Sequence, residues 1–123
     1  MKFGFEDLDV WKESRLLVKL IYKLTNQFPK SEQYGLTSQI CRAAVSVPSN
    51  IAEGCSRVSG KEQARFTEIA YGSLMELVTQ IIIANDLEYV NQEELQGIKE
   101  KARKIANQLN RLRKYQLTKK TKP

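Results

Sequence analysis

Histidine is absent from the 123-residue sequence, and no other feature of the composition removes more chemistry. Histidine is the commonest general base, the usual partner of a serine or cysteine nucleophile, and the commonest metal ligand. Cysteine occurs only twice. Cys41 and Cys55 fall on one expected helix, whose rise over 14 residues sets them roughly 21 Å apart, whereas a disulfide needs Cα atoms within about 7 Å. Without histidine they make no zinc site either. They are expected to be free, small, buried residues in a reducing compartment, with no metal or cofactor. Three prolines and six glycines leave little room for a loop-rich fold. Long apolar runs are missing as well: the longest, Ile81 to Ala84, falls far short of the roughly 20 residues of a membrane span. The first residues, Met1-Lys2-Phe3-Gly4-Phe5-Glu6-Asp7, become acidic too early for a signal peptide. These absences lead to the expectation of a cytoplasmic, non-enzymatic protein with no membrane partner.

What is present is helical period. Apolar residues make up 41% of the chain, and at this length folding buries roughly two thirds of the surface, so one core forms without a staple. Leu17, Leu20, Ile21, Leu24 and Phe28 repeat at three- and four-residue steps, predicting a first helix from about Asp7 to Phe28, stopped by Pro29. A second is expected from Tyr34 or Gly35 to about Val58, bent at its internal Pro48. Ser59 with Glu62, and Asn91 with Glu94, read as capping boxes that open a third helix reaching about Tyr89 and a fourth reaching Gln116 or Leu117. Short connections between such helices predict an all-α, antiparallel up-down-up-down four-helix bundle over residues 1–117. Residues 118–123 carry no periodic apolar content and read as a basic disordered tail.

Charge is distributed unevenly. The chain has 20 Lys plus Arg against 14 Asp plus Glu, net +6. Residues 99–123 hold ten basic side chains and one acid, net +9, while the preceding 98 residues hold ten basic and thirteen acidic, net −3. On a wheel of 100° per residue, Lys99, Arg103, Lys104, Asn107, Asn110, Arg111 and Lys114 share an arc of about 140°, opposite Leu95, Ile98, Ala102, Ile105, Leu109 and Leu112. One face packs. The other is a basic stripe with few acids, read either as a solvated face or as a surface for RNA or another polyanion, with Lys119 and Lys120 adding tail charge. Tyr115 is the only aromatic residue in this stretch, so base stacking is expected to be poor. An interfacial membrane helix could not also bury its apolar face in a bundle.

Two further features stand out. On the second helix Gln39, Arg42, Ser46, Asn50, Glu53 and Arg57 form a polar stripe bordered by Ser38, Ser49 and Ser56, opposite Ile40, Ala44, Val47, Ile51 and Cys55. Short uncharged polar residues are unusual on a freely solvated helix, so the stripe reads as a partner or subunit contact, a small-molecule site or a solvated face. On the third helix Leu74, Met75, Leu77, Val78, Ile81, Ile82, Ile83 and Leu87 point in all directions, which calls for a second subunit, and Glu76 and Gln80 among them need polar partners. A catalytic reading would rest on Glu53, Glu62 or Glu76 beside Arg42, but no nucleophile or metal cage accompanies them.

The residues resemble a known family. Leu8-Asp9-Val10-Trp11, Phe28-Pro29, Tyr34-Gly35-Leu36 and the block Gln39-Ile40-Cys41-Arg42-Ala43-Ala44-Val45-Ser46-Val47-Pro48-Ser49-Asn50-Ile51-Ala52-Glu53-Gly54 are similar to the signature of the four-helix-bundle proteins encoded in bacterial large-subunit ribosomal RNA intervening sequences. Glu62, Arg65-Phe66, Ile69-Ala70, Gly72-Ser73, Glu76-Leu77 and Gln80 continue the likeness. The resemblance implies a non-enzymatic helical bundle assembling as a ring, most often a homopentamer. It also implies kinship in shape with the accessory protein of diversity-generating retroelements, which binds nucleic acid and a reverse transcriptase. Two expectations follow: nucleic-acid binding through the fourth helix, or an adaptor that docks a partner enzyme through the second.

Overall fold

The computed structural model describes residues 1–119 and holds four α-helices, with no strand among those residues: α1 (Asp9–Thr25), α2 (Leu36–Cys55), α3 (Gly60–Asp86) and α4 (Gln92–Leu117). Short 3₁₀ turns at Gly4–Asp7 and Lys30–Glu32 precede α1 and α2. The helices form a bundle in which α2 packs on α1 and α3, and α4 packs on α3 and more thinly on α1. Thr118 and Lys119 follow α4 in a turn, the Lys119 amide bonding the Gln116 carbonyl at 3.2 Å. The remainder of the basic tail, Lys120 included, lies outside the described residues.

The interior is the set that the helical period selects. Leu17 and Ile21 of α1, Ile40 and Ile51 of α2, Leu74, Leu77 and Ile81 of α3, and Ile105 and Leu109 of α4 are all fully buried. Leu20 and Leu112, placed by period on the packing faces, are only half-buried. Both cysteines are free and half-buried rather than enclosed. Burial pushes the Cys55 thiol up, against a smaller downward pull from Lys119.

The helices end earlier than their apolar repeats. α1 stops at Thr25, not Phe28, because the Phe28 amide turns back to the Thr25 carbonyl at 3.0 Å while the Thr25 hydroxyl donates to the Tyr22 carbonyl. Pro29 disfavours helical backbone at Phe28, which is buried as a loop residue. α2 starts at Leu36, whose amide donates to the Glu32 carboxylate at 3.4 Å, and runs through Pro48 to Cys55. There the Ser56 and Arg57 amides fall back to Glu53 and Gly54 in tighter bonds. α3 ends at Asp86 rather than Tyr89. Glu88 takes φ 68, with the Tyr89 amide bonding the Ala84 carbonyl at 2.9 Å and the Glu88 amide that of Asn85 at 3.0 Å. That is a Schellman closure with glutamate where glycine is usual. Around it the Tyr89 hydroxyl donates to Glu32 at 3.1 Å, a bond that raises the phenol above its ordinary range.

The two capping signals behave differently. At α4 both halves of the box form: the Glu94 amide donates to Asn91 Oδ1 at 2.8 Å and the Asn91 amide donates to Glu94 Oε1 at 3.0 Å. At α3 only the Glu62 amide to Ser59 Oγ bond is made, at 3.1 Å. Gly60, the first residue of α3, lies against the end of α4, where an added Cβ would collide with the Gln116 carbonyl oxygen. Gly54 is a second close approach: a Cβ there would stand 3.0 Å from Phe66 Cβ and 3.1 Å from the Gln63 carbonyl oxygen.

Candidate nucleic-acid interface

The apolar side of α4 faces inward, with Leu95, Ile98, Ala102, Ile105 and Leu109 all buried, so the basic residues occupy its outer arc. Arg103, Lys104, Arg111 and Lys114 are exposed and Lys99 is half-buried. The two edges of the arc differ. On the α1 edge Lys104 Nζ lies 3.0 Å from Glu13 Oε1, an exposed pair of the kind worth about 1 kcal/mol or less. On the α3 edge Arg113 Nε lies 2.6 Å from Glu68 Oε1. Lys119 donates to Gln63 Oε1 at 3.1 Å and sits over the Tyr115 ring. Among the described residues Lys99, Arg103, Arg111 and Lys114 have no carboxylate within ion-pair distance.

Lys99 and Arg103 border a groove of about 410 Å³ between α3 and α4, lined also by Tyr71, Met75, Val78, Ala102, Ala106 and Asn107. Tyr71 is the aromatic that a reading of α4 alone overlooks. It belongs to α3, far away in the chain, and only packing sets it beside the basic stripe. It also borders a second hollow of about 210 Å³ with Thr67, Leu109, Asn110 and the Glu68–Arg113 pair.

The polar stripe of α2 meets α3. Ser46 Oγ lies 2.7 Å from Ser73 Oγ, and Asn50 Nδ2 donates to the Ser46 carbonyl at 2.8 Å and to its hydroxyl at 2.9 Å. Ser73, Glu76 and Gln80 share one side of α3 at i, i+3 and i+7, so the α2 stripe and the Glu76–Gln80 pair belong to one seam. Gln80 Nε2 donates to Glu76 Oε1 at 3.1 Å, while the buried Gln80 Oε1 has no partner among the described residues. Arg42 is exposed and pairs with neither Glu53 nor Glu76 among those residues. Glu53 instead holds Arg57 at 3.4 Å, and Arg57 lies over the Phe66 ring.

α3 divides its apolar residues between core and surface. Leu74, Leu77 and Ile81 are enclosed, Val78 is half-buried, and Met75, Ile82, Ile83 and Leu87 are exposed in the single chain, Leu87 to 48%. Among the described residues α3 is the one helix long and apolar enough to cross a membrane, with mean hydropathy 1.2, a criterion that the core helix of a bundle also meets. No three Cys, Asp or Glu side chains converge as a metal site needs among the described residues.

Comparison with known proteins places this geometry. No curated protein matches the chain. A crystal structure of a protein of unknown function from the S23 ribosomal protein family of Bacteroides thetaiotaomicron superposes with a TM-score of 0.72 at 22% identity, covering 85% of this chain and 98% of that one. At that identity the likeness is one of fold. The family match is by sequence: residues 6–111 fit the family described as 23S rRNA-intervening sequence protein. It takes in α1, α2 and α3 whole and most of α4, extending beyond the signature blocks onto the basic helix. The chain therefore belongs to the 23S rRNA-intervening sequence protein family.

Proposed function

We propose that this protein is a cytoplasmic, non-enzymatic homo-oligomer that binds RNA, or nucleic acid generally, through the outer face of α4. One observation carries the reading: the chain's excess positive charge is gathered in residues 99–123, and the α4 cations Lys99, Arg103, Arg111 and Lys114 have no carboxylate partner among the described residues. Phosphate contacts by such cations are loose, salt-sensitive and indifferent to sequence. The family's description, which ties it to 23S rRNA intervening sequences, is consistent with an RNA partner.

Contacts near the helix ends support an antiparallel up-down-up-down order for the bundle. Gly60 at the start of α3 lies against Gln116 at the end of α4. Gln27, just past α1, bonds Glu94 in the first turn of α4 at 3.2 Å. Ser46 meets Ser73 while Gly54, further along α2, meets Phe66, earlier on α3. Assembly itself is supported by Ile82, Ile83 and Leu87, apolar side chains that the single chain leaves partly exposed. A closed ring, a pentamer by family resemblance, repeats the α4 face and multiplies a weak site into avidity.

The test is a salt titration of binding to a generic RNA hairpin. Changing Lys99, Arg103 and Lys114 together to Gln should flatten the plot of log K against log salt by about 2 to 3, at roughly 0.7 to 0.9 per phosphate contact, with helicity and mass unchanged. No binding by the native protein near 50 mM salt defeats the reading. The rival is an adaptor whose α2–α3 seam docks a protein partner. Its support is the buried Gln80 Oε1, unpartnered among the described residues, two turns along α3 from the uncharged Ser46–Ser73–Asn50 cluster. Partner affinity that survives neutralisation of α4 favours it.

A further inference from the structure

The groove between α3 and α4 joins two chemistries that are separate in the sequence. Its rim is cationic, with Lys99 and Arg103 one helical turn apart and the Asn107 amide a further turn on, at roughly 6 Å of rise per step. Its wall on α3 is Tyr71, Met75 and Val78. Its floor on α4 is Ala102 and Ala106, side chains small enough to leave a hollow of about 410 Å³ where Leu would fill it. The neighbouring hollow past Tyr71 lacks this combination, because its cation Arg113 is tied to Glu68 at 2.6 Å.

We propose that this groove receives unpaired nucleotides. A nucleobase is flat and apolar on its faces and polar at its edge, and it carries a phosphate on either side. The base lies against the Tyr71 and Met75 wall over the alanine floor, its edge reaches Asn107, and Lys99 and Arg103 take the flanking phosphates. A base inside a duplex is stacked and paired and cannot enter, so the groove selects single strands, loops and bulges. The inference rests on the α4 reading above but predicts a different ligand preference. A bare basic face favours the duplex, whose higher charge density releases more counterions per contact. The groove reverses that preference.

The experiment compares a single-stranded oligouridine of about 12 nucleotides with a blunt RNA duplex of the same length, by fluorescence anisotropy at one salt concentration. The native protein should bind the single strand about tenfold more tightly. Tyr71→Leu removes the aromatic face, and Ala106→Leu fills the hollow without touching charge. Each should weaken single-strand binding by about fivefold or more, the low end for one stacked base, while duplex affinity and salt slope stay unchanged. Tyr71→Phe should bind like the native protein. Circular dichroism melts confirm that the variants fold. Duplex preference in the native protein, with both leucine variants inert, overturns the groove and leaves the basic face standing. Failure of the native protein to bind either probe removes both readings. Tight binding of an acidic amphipathic peptide that displaces no oligouridine, with loss of that binding in Tyr71→Leu, gives the groove to a protein ligand and also overturns the proposal.

Discussion

Glu88 and Gly60 each defy the usual expectation for their position. Glu88 closes α3 at φ 68, a left-handed conformation that glycine adopts without a Cβ penalty and glutamate does not. The bonds from the Glu88 and Tyr89 amides to α3 carbonyls, and from Asn85 Nδ2 to the Val90 carbonyl at 2.9 Å, hold it there. Glu88→Gly should therefore stabilise the protein by about 0.5 to 1 kcal/mol in urea unfolding, since the side chain is exposed and makes none of these bonds. Gly60 behaves in the opposite way. Alanine is favoured over glycine in helices by about 1 kcal/mol, so Gly60→Ala would ordinarily stabilise α3. The obstacle here is a backbone carbonyl, that of Gln116, whose side chain is itself buried and accepts from Thr67 Oγ1 at 2.6 Å. Because that carbonyl cannot swing aside, the collision outweighs propensity. A loss of about 1 to 3 kcal/mol is expected. A raised melting temperature for Gly60→Ala would show that the α4 end yields instead.

At the scale of the helix, α3 carries the sharpest prediction. Ile82 and Ile83 are 36% and 42% exposed in the single chain, so a lysine at either position can reach water in a monomer. In a subunit contact the same lysine is an unpaired buried charge costing several kcal/mol. Ile82→Lys should thus lower the mass seen by light scattering while leaving helicity intact. An unchanged oligomeric mass would place the contact elsewhere, and a native mass of about 14 kDa would exclude assembly altogether. The α3 repeat was legible, but its division between core and surface was not. Leu74 and Met75 are neighbours of similar hydropathy, yet one is enclosed and the other 39% exposed, because only the packing of α2 and α4 decides which side of α3 is covered. Helix ends were legible where a cap is chemical, as at Asn91 and Glu94. They were not legible at Thr25 and Asp86, where the chain turns through backbone bonds that several sequences can make.

Over the whole molecule the question is whether charge acts as a sum or as a surface. Lys12 and Lys19 lie on α1, within a segment that also contains Asp7, Asp9 and Glu13. Changing both lysines to Gln alters net charge by two units without touching the α4 face. The hairpin-binding salt slope should barely move, whereas two cations removed from α4 should lower it by roughly 1.4 to 1.8. Equal losses would mean that net charge alone governs binding.

The one-dimensional sequence determined the properties that depend only on neighbours along the chain. Apolar steps of three and four residues set the helices and, on α1, α2 and α4, their inward faces, the Asn91 box set the start of α4, and the run from Lys99 to Lys122 set the charge asymmetry. The block from Gln39 to Gly54 identified the family, whose match over residues 6–111 then bore out the resemblance. Tertiary structure alone decided which faces meet. Packing paired Lys104 with Glu13 and Arg113 with Glu68, joined Ser46 to Ser73, and set Tyr71 beside Lys99 and Arg103. The partners in each of these seams lie on different helices, and periodicity fixes the angle of a side chain around its own axis but carries no information about the helix that will stand opposite.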